Sequence, residues 1–138
     1  MILAIDPGSV KTGVALINED GELKEKRIIP TQSLLQYVQE CYDSGALKSV
    51  VMGDGTRHES LGNLVKSWIG EGHDEVNFSY VNEKFTTVEG RKLYWQYTPR
   101  KGWRKFVPTS WQYPPEPVDD FVAWIIGLRF VRERKKTW

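Results

Sequence analysis

Residues 1–15, MILAIDPGSVKTGVA, set an acid at the end of one apolar run and open a second apolar run at Gly13 after a Pro-Gly pair. The run Met1 to Ile5 shows no polar alternation, so it predicts a strand covered on both faces, as in an α/β sheet. Asp6 then stands just past the carboxyl end of that strand, where such sheets tend to place their chemistry.

Working outward, Gly13 to Asn18 predicts a second strand, Glu19-Asp20-Gly21 a turn, and Glu22 to Ile29 a third strand. The fold therefore opens as an antiparallel meander. Leu23, Glu25, Arg27 and Ile29 share one side of the third strand, an impure alternation that predicts an edge position. Leu34, Leu35, Val38, Cys41 and Tyr42 recur at helical spacing between the breaker Pro30 and the terminator Gly45. Ser49 to Met52 predicts a short strand ending in Gly53-Asp54-Gly55. Thr56 with Glu59 then forms a capping box for a helix carrying Leu61, Leu64, Val65, Trp68 and Ile69 on one face and ending at Gly70 and Gly72. Glu75 to Val81 predicts a fifth strand, and Thr86 with Glu89 a second capping box for a helix to about Tyr97. Residues 98–116, with Pro99, Pro108, Pro114 and Pro115, predict a long loop, and loops of that length are usually functional or mobile. The last helix, from about Pro117 to Arg132, is apolar on most sides and so predicts central packing.

With 138 residues, 40% hydrophobic and 27% charged, the chain predicts one soluble domain over 1–138. Strand-like sequence from Met1, without a basic leader or a bilayer-length apolar stretch, predicts a cytoplasmic location and no membrane partner. Cys41, the only cysteine, excludes an intrachain disulfide and a Cys-based zinc site, and its place on a helical face predicts a core residue. His58 and His73 form no local metal motif. The formal net charge is +1, yet residues 90–115 hold Arg91, Lys92, Arg100, Lys101, Arg104 and Lys105 and no acid, which is a local basic field.

Acids mark three element ends: Asp6, Glu83 after the fifth strand, and Asp119 with Asp120 at the start of the last helix. Carboxylates drawn from separate elements suit a pair of Mg²⁺ or Mn²⁺ ions acting on a phosphodiester. Mutual repulsion makes such a cluster unfavourable until a cation binds. Each acid also has a plainer reading, Asp6-Pro7-Gly8 as a turn, Glu83 as a helix-dipole partner, Asp119 and Asp120 as N-caps, so the case rests on their joint placement.

Ile5-Asp6-Pro7-Gly8 followed by Lys11-Thr12-Gly13-Val14-Ala15 resembles the opening motif of the YqgF/RuvX family, in the RNase H-like superfamily that also holds RuvC-type Holliday-junction resolvases. Val81-Asn82-Glu83-Lys84-Phe85-Thr86-Thr87 is similar to the family's Asp-Glu-Arg-x-Thr-Thr segment, and Val118-Asp119-Asp120 entering an apolar helix is similar to its final acidic motif. The resemblance implies an RNase H-like α/β fold. In it a five-stranded mixed sheet, with an antiparallel β1-β2-β3 meander and parallel β4 and β5, is flanked by helices on both faces. It also implies a two-metal endonuclease with Asp6, Glu83 and Asp119 as catalytic and metal-binding acids, Asp120 being the alternative to Asp119. Asn82 and Lys84 stand where the family has an acid and an arginine, and Gly53-Asp54-Gly55-Thr56 departs from its Gly-Leu-Pro loop. These departures bear on substrate choice more than on chemistry.

Lys and Arg neutralise phosphates and aromatic faces stack on unpaired bases, so Arg91, Arg100, Lys101, Trp103, Arg104 and Lys105 are candidate nucleic-acid contacts. Tyr94, Trp95 and Tyr97 are assigned to the core. Lys11 and Lys84 are further candidates, as are Thr86 and Thr87 at a helix N-terminus that favours anions; Asp54 is read as part of a turn. The substrates implied are precursor ribosomal RNA, cut by a monomer or dimer, or branched DNA, for which symmetric cleavage needs a homodimer. Two other readings are a catalytically silent RNase H-like module binding nucleic acid or protein, and an actin-like nucleotide-binding fragment. The second is disfavoured by length.

Overall fold

The structure is a computed structural model; it describes residues 1–45, 47–54, 58–82 and 119–136, apart from the side chains of His58, Asp119, Arg134, Lys135 and Lys136. The chain folds as an α/β protein around a five-stranded mixed sheet. Its elements are β1 (Ile2–Asp6), β2 (Lys11–Ile17), β3 (Leu23–Pro30), a 3-10 turn (Thr31–Ser33), α1 (Leu34–Asp43), β4 (Ser49–Gly53), α2 (His58–Gly70), β5 (Asn77–Val81) and α3 (Asp119–Lys136). The sheet runs β3-β2-β1-β4-β5. β1, β2 and β3 form the antiparallel meander, while β4 and β5 lie parallel to β1 on its other side.

Side-chain alternation divides the sheet into two cores. Leu3, Ile5, Val14, Val50 and Met52 face α1 and α2, packing with Leu34, Tyr37, Val38, Leu61, Val65 and Trp68. Ile2, Ala4, Ile17, Val51 and Val81 face α3, packing with Val122 and Ile126. Each large aliphatic side chain removed from water in this way contributes about 1.5–3 kcal/mol. Because β1 is buried on both faces, its sequence lacks alternation, as the apolar run Met1 to Ile5 predicts. β3 lies at the edge, as its mixed pattern predicts.

Some boundaries and faces differ from the sequence reading. β2 begins at Lys11 rather than Gly13, because Lys11 and Thr12 already pair with Pro30 and Ile29. β5 begins at Asn77 rather than Glu75, where the pairing Ser49–Asn77 starts. α3 runs on to Lys136, one turn past the expected end. Leu64 is 48% exposed although it belongs to the apolar set read for α2. At 100° per residue it falls at the margin of the stripe centred on Leu61, Val65 and Trp68. The β2–β3 turn is held by Asn18, whose Oδ1 accepts from the N–H groups of Asp20 and Glu22, with Gly21 at φ 89°. No helix among the described residues is long and apolar enough to cross a membrane.

Candidate functional site

Asp6 is the last residue of β1 and pairs with Gly13 of β2. By the period of two it continues the series Ile2, Ala4 and therefore lies on the face covered by α3. It is half-buried. β1 is the central strand, and the carboxyl ends of β4 and β5 emerge beside it at the same edge of the sheet. Asp54, exposed, continues this edge by donating its N–H to the Val81 carbonyl. Position 82, which leads into Glu83, stands at the end of β5.

The loop after Asp6 is closed by a ring of hydrogen bonds that the sequence does not announce. Thr31 Oγ1 donates to the Gly8 carbonyl at 2.8 Å, and Thr12 Oγ1 lies 2.8 Å from Thr31 Oγ1. Since the Thr31 proton is already used, Thr12 is the donor in that pair. Thr12 Oγ1 in turn accepts a longer bond, 3.4 Å, from the Gly8 N–H. Thr12 is fully buried, so its hydroxyl must be satisfied within the protein. A Cβ on residue 8 would fall 2.0 Å from the Lys11 carbonyl oxygen, so the loop closes only around glycine. Lys11 itself is exposed at the start of β2.

α3 crosses the same face. Its first turn reaches β3, where Lys26 Nζ donates to Asp120 Oδ2 at 2.8 Å. Trp124 Nε1 donates to the Gly21 carbonyl, Gly127 rests on Ala4 and Ile17, and Arg129 donates to the Asn82 carbonyl at the end of β5. The helix thus carries Asp119 at its start and spans from the β3 edge to the strand end that precedes Glu83. Asp120 is 8% exposed. Its Oδ1 accepts from the Phe121 N–H at 3.0 Å, and Lys26 Nζ also sits 4.3 Å from the Phe121 ring centroid.

Of the predicted acids, then, the structure places Asp6 and the start of α3 on one face, and engages Asp120 with Lys26. Glu83 lies outside the described residues, as do Lys84, Thr86, Thr87, Arg91, Arg100, Lys101, Trp103, Arg104 and Lys105, the helix to Tyr97 and the loop 98–116. Among the described residues no three His, Cys, Asp or Glu side chains form a metal-holding group. Lys26, Thr12 and Thr31 are the site residues that sequence reasoning missed. Thr31 carried no signal, and neither did Lys26, which by spacing alternates with Lys24 and Ile28 on the side of β3 opposite Leu23 and Ile29.

Cys41 belongs to the other core, and half-buried His73 packs against it. Burial pushes the Cys41 thiol up to about 11, so it stays protonated at neutral pH. His73 stacks on Trp68 with ring centroids 3.9 Å apart, and its Nδ1–H donates to the Trp68 carbonyl at 2.7 Å.

No family model matches the chain, and no curated protein matches it. Among solved structures it is similar to a "putative sugar kinase" from Cytophaga hutchinsonii, at 16% identity and a TM-score of 0.46. The match covers 66% of this chain and 38% of the length of that protein.

Proposed function

We propose that the chain is a metal-dependent endonuclease of the YqgF/RuvX type that hydrolyses phosphodiester bonds in structured nucleic acid, with Asp6, Glu83 and Asp119 as its acids. The observation that carries this reading is the position of Asp6: at the carboxyl end of the central strand, on the face crossed by α3, beside the strand end that leads to Glu83. A second support is the rigid closure of the Asp6 loop by Thr12, Thr31 and Gly8, since a metal ligand must hold its geometry without substrate.

The donor set fits hard divalent cations. It is made of carboxylate oxygens, whereas the Cys41 thiol sits in the opposite core and the half-buried His73 imidazole stacks on Trp68 of that core. When bound, two Mg²⁺ or Mn²⁺ ions supply Lewis-acid chemistry, generating hydroxide near neutral pH and stabilising the leaving oxygen. The chain's own part is to hold these ions with Asp6, Glu83 and Asp119 and to attract the phosphate backbone. Arg91, Arg100, Lys101, Arg104, Lys105, Lys84 and Lys11 neutralise phosphates, Trp103 stacks on an unpaired base, and Thr86 and Thr87 donate to a phosphate. The protein acts in the cytoplasm, as a homodimer if its substrate is a four-way DNA junction and as a monomer or dimer if it is precursor ribosomal RNA.

The test is cleavage of a four-way DNA junction and of a structured RNA with Mn²⁺, comparing wild type, Asp6→Asn and Glu83→Gln. Wild type cleaves one of the two, and each substitution lowers the rate at least about 100-fold, the scale of losing one group that stabilises transition-state charge. Equal activity in all three assigns the cleavage to another site, and binding without cleavage in any of them supports a silent module instead.

A further inference from the structure

The structure assigns Lys26 a positioning role: its ammonium holds Asp120, and through that carboxylate it fixes the first turn of α3, on which Asp119 stands, against the sheet face that bears Asp6. The inference rests on the metal-site reading above and adds to it a residue from a strand that contributes none of the three acids.

An aspartate this deeply buried is unusual, and its charge is tolerable only with a partner. Both of its oxygens are engaged, Oδ2 by Lys26 at 2.8 Å and Oδ1 by the Phe121 N–H at 3.0 Å. Asp120 therefore serves to dock the helix. The lysine reaches it because of what lies beside it in the sheet. Lys26 pairs with Ala15, which pairs with Ala4, and the next row holds Gly13 and Asp6. Small side chains on this part of the face leave room for a lysine stem between sheet and helix, and the ammonium closes over the Phe121 ring. An edge-strand lysine would ordinarily reach into solvent; this one is 22% exposed.

Val122 packs into the core in the same turn, and Trp124, Gly127 and Arg129 anchor α3 further along. Among the described residues Lys26 supplies an ion pair at the end where Asp119 enters the helix. Outer partners that orient metal ligands typically carry about 10- to 100-fold in metal affinity.

Mn²⁺ binding to the full chain, followed by calorimetry together with the thermal midpoint, tests this role. Lys26→Met weakens Mn²⁺ binding about tenfold or more, while Lys26→Arg stays within about threefold of wild type. The double variant Lys26→Met/Asp120→Leu recovers to within about threefold, because an apolar pair can replace a buried ion pair without leaving a charge stranded. It also keeps the test open if Lys26→Met alone does not fold. Tighter binding in Lys26→Met overturns the proposal by showing that the ammonium competes with the cation. Unchanged binding with a lowered midpoint reduces the pair to a structural one. A double variant as weak as Asp6→Asn makes Asp120 itself a ligand, which also overturns it. Wild type that binds no Mn²⁺, or that binds it as well after Asp6→Asn, overturns the metal-site reading and this role with it.

Discussion

Asp6 leads into a loop that three residues close. Thr12, Thr31 and Gly8 close a cycle in which every hydroxyl both donates and accepts, so the loop that leaves β1 is fixed before any ligand arrives. Thr12→Val keeps the shape of the side chain and removes the hydroxyl, leaving the Thr31 oxygen without its donor in a half-buried loop. The expected loss is about 1–3 kcal/mol of unfolding free energy in a urea melt. Thr31→Val costs a similar amount, and the double variant costs less than the sum, since the two hydroxyls serve one network. Additive losses would show that they act separately. Asp6 itself was legible, because an acid that ends an uninterrupted apolar run marks the point where a buried strand leaves its sheet. Thr12 was not. It alternates with Val14 along β2 and looks like any β-branched strand residue, and only the return of Thr31 beside it reveals its bond.

At the scale of elements, α3 determines what can gather over Asp6. Its apolar circumference was readable as central packing, and Val122, Ala123 and Ile126 are indeed buried. Its docking on β3 was not, because the Lys26–Asp120 pair joins residues 94 apart in sequence and charge pairing at that range leaves no periodic trace. Close approach to the sheet depends on Gly127. A methyl there would meet Ile17 Cδ1 at 2.7 Å and Ala4 Cβ at 3.2 Å, and Ala4 is carried on the central strand and cannot retreat. Helix propensity alone favours Gly127→Ala by about 1 kcal/mol. Overpacking of about 1–3 kcal/mol opposes it, and the net expectation is destabilisation, read as a lower urea midpoint. Because the same shift lifts α3 off the face of Asp6, Mn²⁺ binding should weaken together with stability. A stabilised variant would mean that the helix is not seated as described.

Across the whole molecule the sheet separates two cores of different chemistry, and that separation was legible as far as alternation was clean. α1 buries Leu34, Val38 and Cys41 as its spacing predicts, and Tyr37 besides, whereas α2 exposes Leu64, because helical spacing fixes a stripe only to within its width. The core under α1 and α2 holds two acids that are neutral at physiological pH. Burial raises the Tyr37 phenol well above its usual range, helped by its hydrogen bond to Glu25, and burial pushes the Cys41 thiol up to about 11 from 9.0. In the unfolded chain both lose their protons earlier, so between pH 9 and 11 the unfolded state binds fewer protons than the native one and stability falls as pH rises. The Cys41 contribution is fully present below pH 9 and is lost as pH climbs through 11, and that of Tyr37 is fully present below pH 10 and falls above it. For Cys41 alone the gap corresponds to roughly 2–3 kcal/mol. Urea melts at pH 8, 9.5 and 10.5 should therefore show a steady decline in wild type and a shallower one in Cys41→Ala, whose starting stability is lower because of the space left behind. The native thiol should react with a thiol reagent at pH 8 only as fast as the core opens. Parallel declines in the two proteins, or prompt modification, would place Cys41 outside the dry core that holds α1 and α2 to the sheet.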